Sequence, residues 1–164
     1  MITPRALMLR PARQADAPVM ADMCRTLIEA GLTWRYTPPR MAAMIRDPDT
    51  VALVACDGPQ LHGFAVMHFG DALARLALLC VVATQQRQGL GRQLHHWLLA
   101  SAQVAGGRWQ VAGGSTLRLE LRADNSSALS FYRQLGFLET QRLPNDDDGL
   151  VAARRMELRL QTVR

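Results

Sequence analysis

The stretch LCVVATQQRQGLGR, residues 79–92, leads from an apolar strand directly into a helix. Gly89 and Gly91 stand at the turn between the two elements. Residues without a Cβ let an anionic group approach the backbone, and the first N–H groups of a helix have no intrahelical partner. The turn therefore predicts either a phosphate site or a tight strand-to-helix connection. It matches neither the P-loop, which ends in Gly-Lys-Ser/Thr, nor the dinucleotide fingerprint with its three spaced glycines.

The stretch LELRADNSSALSFYRQLGF, residues 119–137, also passes from a strand through a turn into a helix. Leucines and charged residues alternate over residues 116–122, which is typical of a strand with one buried face. Asn125 stands at the N-cap position of the helix that follows, and Gly136 ends this helix. Tyr132 lies on its apolar stripe and is either a functional hydroxyl or a core aromatic.

Outward from these two stretches, periodicity and turn residues predict the order β-α-α-β-β-β-α-β-α-β-β. Predicted strands cover residues 7–10, 50–56, 61–69, 74–83, 116–122, 137–143 and 151–160. The run at 74–83 is apolar apart from Arg75, which indicates a central strand covered on both faces. The helix after Gly89 carries an apolar stripe that includes Leu94, Trp97 and Leu98. The fold class expected is a mixed, mostly antiparallel α/β sheet flanked by helices on both faces.

The composition is that of an ordinary globular protein, with 49% hydrophobic and 20% charged residues. All 19 basic residues are arginines, and the net charge is +5. Because the arginines are scattered rather than clustered in a stripe, a solvated basic surface is favoured over a nucleic-acid interface. An Arg-only, Ala-rich composition is typical of a GC-rich genome.

Length and residue usage limit the class of protein further. The 164 residues are expected to form one domain spanning residues 1–164. No apolar run approaches the roughly 18 residues of a spanning helix, and residues 1–13 lack a secretion leader, so a cytoplasmic location is expected. Cys24, Cys56 and Cys80 are an odd number of cysteines and are expected to be free thiols. The histidines show no ligand spacing, so no metal is expected.

The two stretches resemble the GNAT acyltransferase superfamily. Its cofactor-binding element, Gln/Arg-x-x-Gly-x-Gly/Ala, matches QRQGLG at residues 86–91, and its later Asn, Ala-x-x-x-Tyr helix and Leu-Gly-Phe match Asn125, residues 128–132 and residues 135–137. The likeness spans most of the chain and is greatest between residues 76 and 137. Within the superfamily the chain is most similar to the ribosomal-protein-alanine N-acetyltransferases, whose Leu-Glu-Val-Arg-Ala-x-Asn is matched by residues 119–125.

The resemblance implies acetyl-CoA as the cosubstrate. Backbone groups of residues 79–81 would pair with the pantetheine arm, N–H groups of residues 87–92 would hold the pyrophosphate, and Asn125 would hydrogen-bond the cofactor. The cofactor-binding residues implied are Leu79, Cys80, Val81, Gln86, Arg87, Gln88, Gly89, Leu90, Gly91, Arg92 and Asn125.

The resemblance also implies two catalytic residues. Glu120 falls at the position of a general base, and Tyr132 at that of the acid that protonates the departing thiolate. The residues alone leave other roles open: Glu120 balances the charge of Arg118 and Arg122 on the same strand face, and Asn125 caps a helix in any case. Cys80 reads as a small core hydrophobe, since no His lies near it in the motif to act as a base.

The activity implied is the transfer of an acetyl group to a primary amine, here expected to be the N-terminal α-amine of a protein or peptide. The related enzymes usually carry an Asn-Tyr-Tyr near their C-terminal hairpin, where this chain has residues 144–149, PNDDDG. Acetylation of a small-molecule amine, a non-catalytic CoA-binding regulatory module and an RNA-associated basic protein are the alternatives. A bacterial source is expected, and a homodimer stays open.

Overall fold

The computed structural model describes residues 7–70, 73–105, 116–144 and 152–160. Within these residues seven strands form one sheet in the order β1-β2-β3-β4-β5-β7-β6. The strands are β1 (Met8–Pro11), β2 (Thr50–Asp57), β3 (Gln60–Phe69), β4 (Leu73–Val81), β5 (Thr116–Arg122), β6 (Leu138–Leu143) and β7 (Ala153–Arg159). Neighbouring strands are antiparallel except β4 and β5, which are parallel.

Helices connect these strands in the predicted order. They are α1 (Ala17–Met23), which continues into a π-helical turn at Cys24–Ile28, α2 (Pro38–Arg46), α3 (Leu90–Ala105) and α4 (Ser126–Gln134). The predicted fold class is confirmed, and β4 is the central strand that its apolar run indicated. Element bounds differ from the predicted ones by one or two residues, as expected where ends fray. The sequence also predicts that α3 ends at Gly106-Gly107 and that residues 144–149 form a polar loop. Residues 106–107 and 145–149 lie outside the described residues.

The sheet separates two apolar layers because successive strand side chains point to opposite faces. On β2, Leu53 and Ala55 join the layer beneath α3 and α4, whereas Val54 and Cys56 join the layer beneath α1 and α2. Both layers contain fully buried side chains, so the sheet is covered on both faces.

Helix α3 packs on the sheet through a narrow stripe. Leu90, Leu94 and Leu98 recur every fourth residue and are buried. Each fully buried leucine contributes about 1.5–3 kcal/mol to folding, which stabilises a helix that would be marginal in isolation. The prediction that Trp97 belongs to this stripe is wrong, since its side chain is 41% exposed. Trp97 lies on a different side of α3 from the i, i+4 series of leucines that faces the sheet.

Strands β4 and β5 pair only at their beginnings. The parallel register joins Leu73 to Thr116 and ends at Arg75 with Arg118. Two residues further along β4, the register with β3 shifts, because Met67 faces Leu76 and Val66 faces Leu78. The extra residue, Ala77, forms a bulge, and bulges bend and twist the strand that carries them. Beyond this point β4 and β5 diverge, and a cleft opens between them.

Candidate active site

The cleft between the diverging strands has a volume of about 390 Å³. Strands β4 and β5 contribute residues 76–79 and 120–122, and α4 contributes part of its first two turns. The segment between α1 and α2 supplies the remaining wall. The lining residues that carry polar side chains are Glu29, Thr33, Arg35, Tyr36, Glu120, Arg122, Asn125 and Tyr132. Both predicted catalytic residues, from different elements, therefore line one cleft.

Tyr132 lies on α4 with 9% of its surface exposed, and its ring packs edge-on against Phe131 and Phe137. Burial raises the pKa of its phenol above the ordinary value, so the hydroxyl keeps its proton at any working pH. No other described side chain or backbone group is hydrogen-bonded to this hydroxyl. Tyr132 is thus a core aromatic with a protonated phenol that also lines the cleft, and its role as a catalytic acid stays a prediction.

The hydrogen-bond partner of Glu120 is not one of the two arginines, Arg118 and Arg122, that flank it on β5. Its Oε1 accepts a hydrogen bond of 3.1 Å from Nη2 of Arg155, its cross-strand neighbour on β7. Arg118 pairs with Glu157, and Arg122 with Asp124, so neither flanking arginine depends on Glu120 for charge balance. The Glu120 side chain stays 37% exposed in the cleft. The carboxylate can therefore reach a bound molecule while one oxygen is held by Arg155.

The loop before α3 contains two residues with a left-handed backbone. Arg87 has φ of 64° and Gly89 has φ of 83°. Two glutamine side chains fasten the loop: Nε2 of Gln86 donates to the Val81 carbonyl at 3.0 Å, and Nε2 of Gln88 donates to the Thr84 carbonyl at 3.1 Å. The loop connects the end of β4 to the first turn of α3. The N–H groups of this turn lack intrahelical partners. The arrangement fits an anionic group such as a pyrophosphate.

Gly91 has a packing role that the sequence did not indicate. A Cβ at this position would lie 3.1 Å from Cζ of Phe131 on α4. The missing side chain therefore lets the start of α3 approach α4 closely. By contrast, a Cβ at Gly89 would meet no atom within 4 Å, so Gly89 is required by its backbone conformation alone.

The remaining predicted residues lie around these groups. Oδ1 of Asn125 accepts a hydrogen bond of 3.1 Å from the Ala128 N–H, so the residue caps α4 and also lines the cleft. Leu79 lines the cleft from β4. Cys80 is buried, and burial raises the pKa of its thiol to about 12, which keeps it protonated and unreactive.

Sequence reasoning missed two residues, Arg155, which contacts the cleft residue Glu120, and Glu29, which lines the cleft. Arg155 lies 35 residues from Glu120, and only the β5–β7 register brings them together. Glu29, near the end of the first helix, is buried and accepts two backbone hydrogen bonds. A charged residue directly after an apolar helical stripe was the one available signal for Glu29, and it is also typical of a solvated helix end.

Among residues 7–70, 73–105, 116–144 and 152–160, no group of three or more His, Cys, Asp or Glu side chains could hold a metal ion. None of the described helices is long and apolar enough to cross a membrane.

The mixed seven-stranded sheet flanked by helices is the fold class that the GNAT resemblance implied. The family model of the acetyltransferase (GNAT) domain matches residues 20–160, and the chain belongs to this family. The protein is an acetyl-CoA-dependent N-acetyltransferase, as the sequence predicted.

Individual relatives agree with this assignment. N-alpha-acetyltransferase 30 of Schizosaccharomyces pombe is 29% identical over 129 residues, which cover 76% of this chain and 81% of the relative. The ribosomal-protein-S18-alanine N-acetyltransferase of Escherichia coli has a similar structure, with a TM-score of 0.77, 23% identity and 96% of each chain covered. Arabidopsis thaliana NAA60 in complex with acetyl-CoA has a TM-score of 0.77 and 16% identity, with 93% of this chain and 98% of NAA60 covered. These two likenesses support the fold.

Proposed function

We propose that this protein acetylates the α-amino group at the N-terminus of a protein or peptide. The observation that carries the proposal is the cleft between β4 and β5, which both Glu120 and Tyr132 line. The S. pombe relative is an N-alpha-acetyltransferase, and the E. coli structure is that of an enzyme for a ribosomal-protein alanine. Both names point to N-terminal amines.

Acetyl-CoA would lie along the unpaired edge of β4. Backbone groups of residues 79–81 would pair with its pantetheine arm, and the loop of residues 86–92 would surround its pyrophosphate. The N–H groups of the first turn of α3 suit a phosphate because they carry the positive end of the helix dipole. Asn125 lines the same cleft and would contact the cofactor.

The proposed reaction is direct transfer. The neutral amine nitrogen attacks the thioester carbonyl, an amide C–N bond forms, and the C–S bond breaks with its electron pair on sulfur. The proton lost by the amine goes to Glu120, directly or through a water, and Glu120 then releases it to solvent. The thiolate takes a proton from the Tyr132 hydroxyl to leave as the CoA thiol, and solvent returns a proton to Tyr132. Tyr132 donates a hydrogen bond to the sulfur as its negative charge develops.

The chemistry of the amine favours an α-amine over a lysine. At pH 7 the neutral form costs about 1 kcal/mol for an α-amine of pKa about 7.7–8.0 and about 4.6 kcal/mol for a lysine ε-amine of pKa about 10.4. One oxygen of Glu120 is engaged by the Arg155 guanidinium, and a carboxylate is in general a weak base toward an ammonium proton. A weak base therefore suits an α-amine, because its ammonium form loses a proton more readily than that of a lysine.

We expect peptides with a free N-terminus to be acetylated in preference to N-terminally blocked peptides that carry only lysine. The measurement is thiol release from acetyl-CoA with matched peptides, followed by mass spectrometry of the product. Blocked versions of the good substrates are the control, since they retain the sequence and lose the α-amine. Preferential acetylation of lysine or of small amines would overturn the proposed acceptor, and binding without any turnover would indicate a regulatory module.

Glu120→Gln is expected to reduce turnover about fivefold at pH 6.5 and less than about twofold at pH 9. Below the pKa of the amine most of the acceptor is protonated and needs a base, whereas near pH 9 free amine is plentiful. Steady-state rates across this pH range test the prediction.

Glu157→Gln is the matched control for this substitution. Glu157 forms the equivalent cross-strand pair with Arg118 and does not line the cleft, so its loss should leave the pH profile unchanged. A loss of turnover in Glu120→Gln that is equal at every pH would contradict the role of Glu120 as a general base. It would indicate instead that Glu120 orients the substrate or balances the charge of Arg155.

A bacterial source, a cytoplasmic location and a homodimer stay predictions. The basic surface is partly neutralised where arginines of β5 and β7 pair with Glu120, Glu139 and Glu157. This pairing further disfavours the RNA-associated alternative, because a nucleic-acid interface needs unpaired cations along one face.

A further inference from the structure

The segment between α1 and α2 forms one wall of the cleft, and a buried carboxylate holds it. Glu29 is 6% exposed at the end of the π-helical turn. Its Oε2 accepts the Arg35 N–H at 2.8 Å, and its Oε1 accepts the Tyr36 N–H at 3.1 Å. Glu29, Arg35 and Tyr36 all line the cleft. Both carboxylate oxygens are thus engaged by the backbone of the wall itself.

Other contacts fix the same segment from its outer side. The indole Nε1 of Trp34 donates to the Ala21 carbonyl on α1 at 3.2 Å. The Arg25 guanidinium lies 5.3 Å from the centre of the Trp34 ring, and the Arg40 guanidinium lies 4.5 Å from the centre of the Tyr36 ring. Such cation–π contacts are weak at exposed sites. The buried Glu29 contacts are therefore the stronger restraint on this wall.

We propose that Glu29 is a positioning residue for the amine acceptor: it fixes the backbone at Arg35 and Tyr36 so that this wall has its bound shape before the acceptor arrives. The inference rests on the proposed function and adds a determinant of acceptor binding to it. A buried carboxylate is strongly unfavourable without hydrogen-bond partners, so the two backbone donors and Glu29 stabilise one another. Pre-ordering the wall lowers the entropy lost when the acceptor binds.

Glu29→Gln tests this role. Glutamine has one acceptor oxygen, and its NH₂ group would face the second backbone N–H, so one hydrogen bond is lost and two donors oppose each other. We expect the KM for the acceptor peptide to rise about tenfold, with kcat within about twofold of the unmodified protein. The Kd for acetyl-CoA should stay unchanged, because the cofactor loop lies on other elements.

Two comparisons separate positioning from other roles. Glu139→Gln removes a carboxylate that accepts a 2.9 Å hydrogen bond from Arg154 away from the cleft, and it should leave the acceptor KM unchanged. Trp34→Phe loosens the same wall by removing the indole donor, and it should raise the acceptor KM without changing kcat, even if Glu29→Gln does not fold. A loss in Glu29→Gln that grows as the pH falls would overturn the proposal, since it would make Glu29 a base.

Amide hydrogen exchange supplies a readout that is independent of activity. The N–H groups of Arg35 and Tyr36 should be protected in the unmodified protein and exchange faster in Glu29→Gln. Equal exchange in both proteins, or faster exchange with an unchanged acceptor KM, would overturn the positioning role. If the unmodified protein acetylates no amine, the proposed function fails, and faster exchange would then show only that Glu29 orders the wall.

Discussion

Tyr132→Phe is expected to reduce turnover on the order of 10²-fold while leaving the fold intact. The substitution keeps the ring that packs against Phe131 and Phe137 and removes only the hydroxyl at the cleft. Because burial raises the pKa of this phenol, it is protonated throughout the working range and can stabilise the thiolate as the C–S bond breaks. Thiol-release kinetics and thermal unfolding, measured on the same preparation, test both halves of the prediction.

Tyr36→Phe is the comparison variant, because Tyr36 lines the acceptor-binding wall of the cleft and the substitution removes the same hydroxyl, so any loss should appear in the acceptor KM. Its kcat should stay close to that of the unmodified protein. Turnover near the original level in Tyr132→Phe would leave Tyr132 as a core aromatic only. A large fall in unfolding temperature would instead attribute the lost activity to packing.

Gly89→Val is expected to weaken acetyl-CoA binding more than tenfold, which corresponds to about 1.4 kcal/mol or more. Gly89 has φ of 83°, a conformation that a β-branched residue strongly disfavours, so the loop must change shape to accept valine. The displaced N–H groups would then no longer converge on the pyrophosphate. Calorimetric titration with acetyl-CoA measures the change directly.

Gly58→Val provides a closely matched control for backbone strain. Gly58 has φ of 57° in the β2–β3 turn, and a Cβ there would also meet nothing within 4 Å. The Gly58→Val substitution should lower the free energy of unfolding by about as much as Gly89→Val and leave the affinity for acetyl-CoA unchanged. Unchanged affinity for acetyl-CoA in a folded Gly89→Val protein would refute the assignment of the loop of residues 86–92 to cofactor binding. Gly91→Val is a poorer probe, since its Cβ would lie 3.1 Å from Phe131 and disturb the α3–α4 packing.

The sequence alone determined the features that depend on neighbouring residues. Alternation over residues 116–122 gave the buried and exposed faces of β5, and the capping position of Asn125 gave the start of α4. The two glycines predicted a tight turn between β4 and α3 as one of two interpretations, and Gly89 adopts there the left-handed backbone that a residue without a Cβ tolerates. These properties arise within one or two turns of backbone, so local periodicity and side-chain chemistry suffice to predict them. The resemblance built on the same motifs then identified the family.

Tertiary structure decided the features that join distant parts of the chain. The register between β5 and β7 selects Arg155 as the partner of Glu120, in place of the adjacent arginines. The bulge at Ala77 and the early end of the β4–β5 pairing open the cleft, and the approach of α3 to α4 gives Gly91 its packing role. Glu29 acquires its role only when residues 35 and 36 fold back over it. Strand register, divergence and helix approach depend on how whole elements pack, which the periodicity of a single element does not encode.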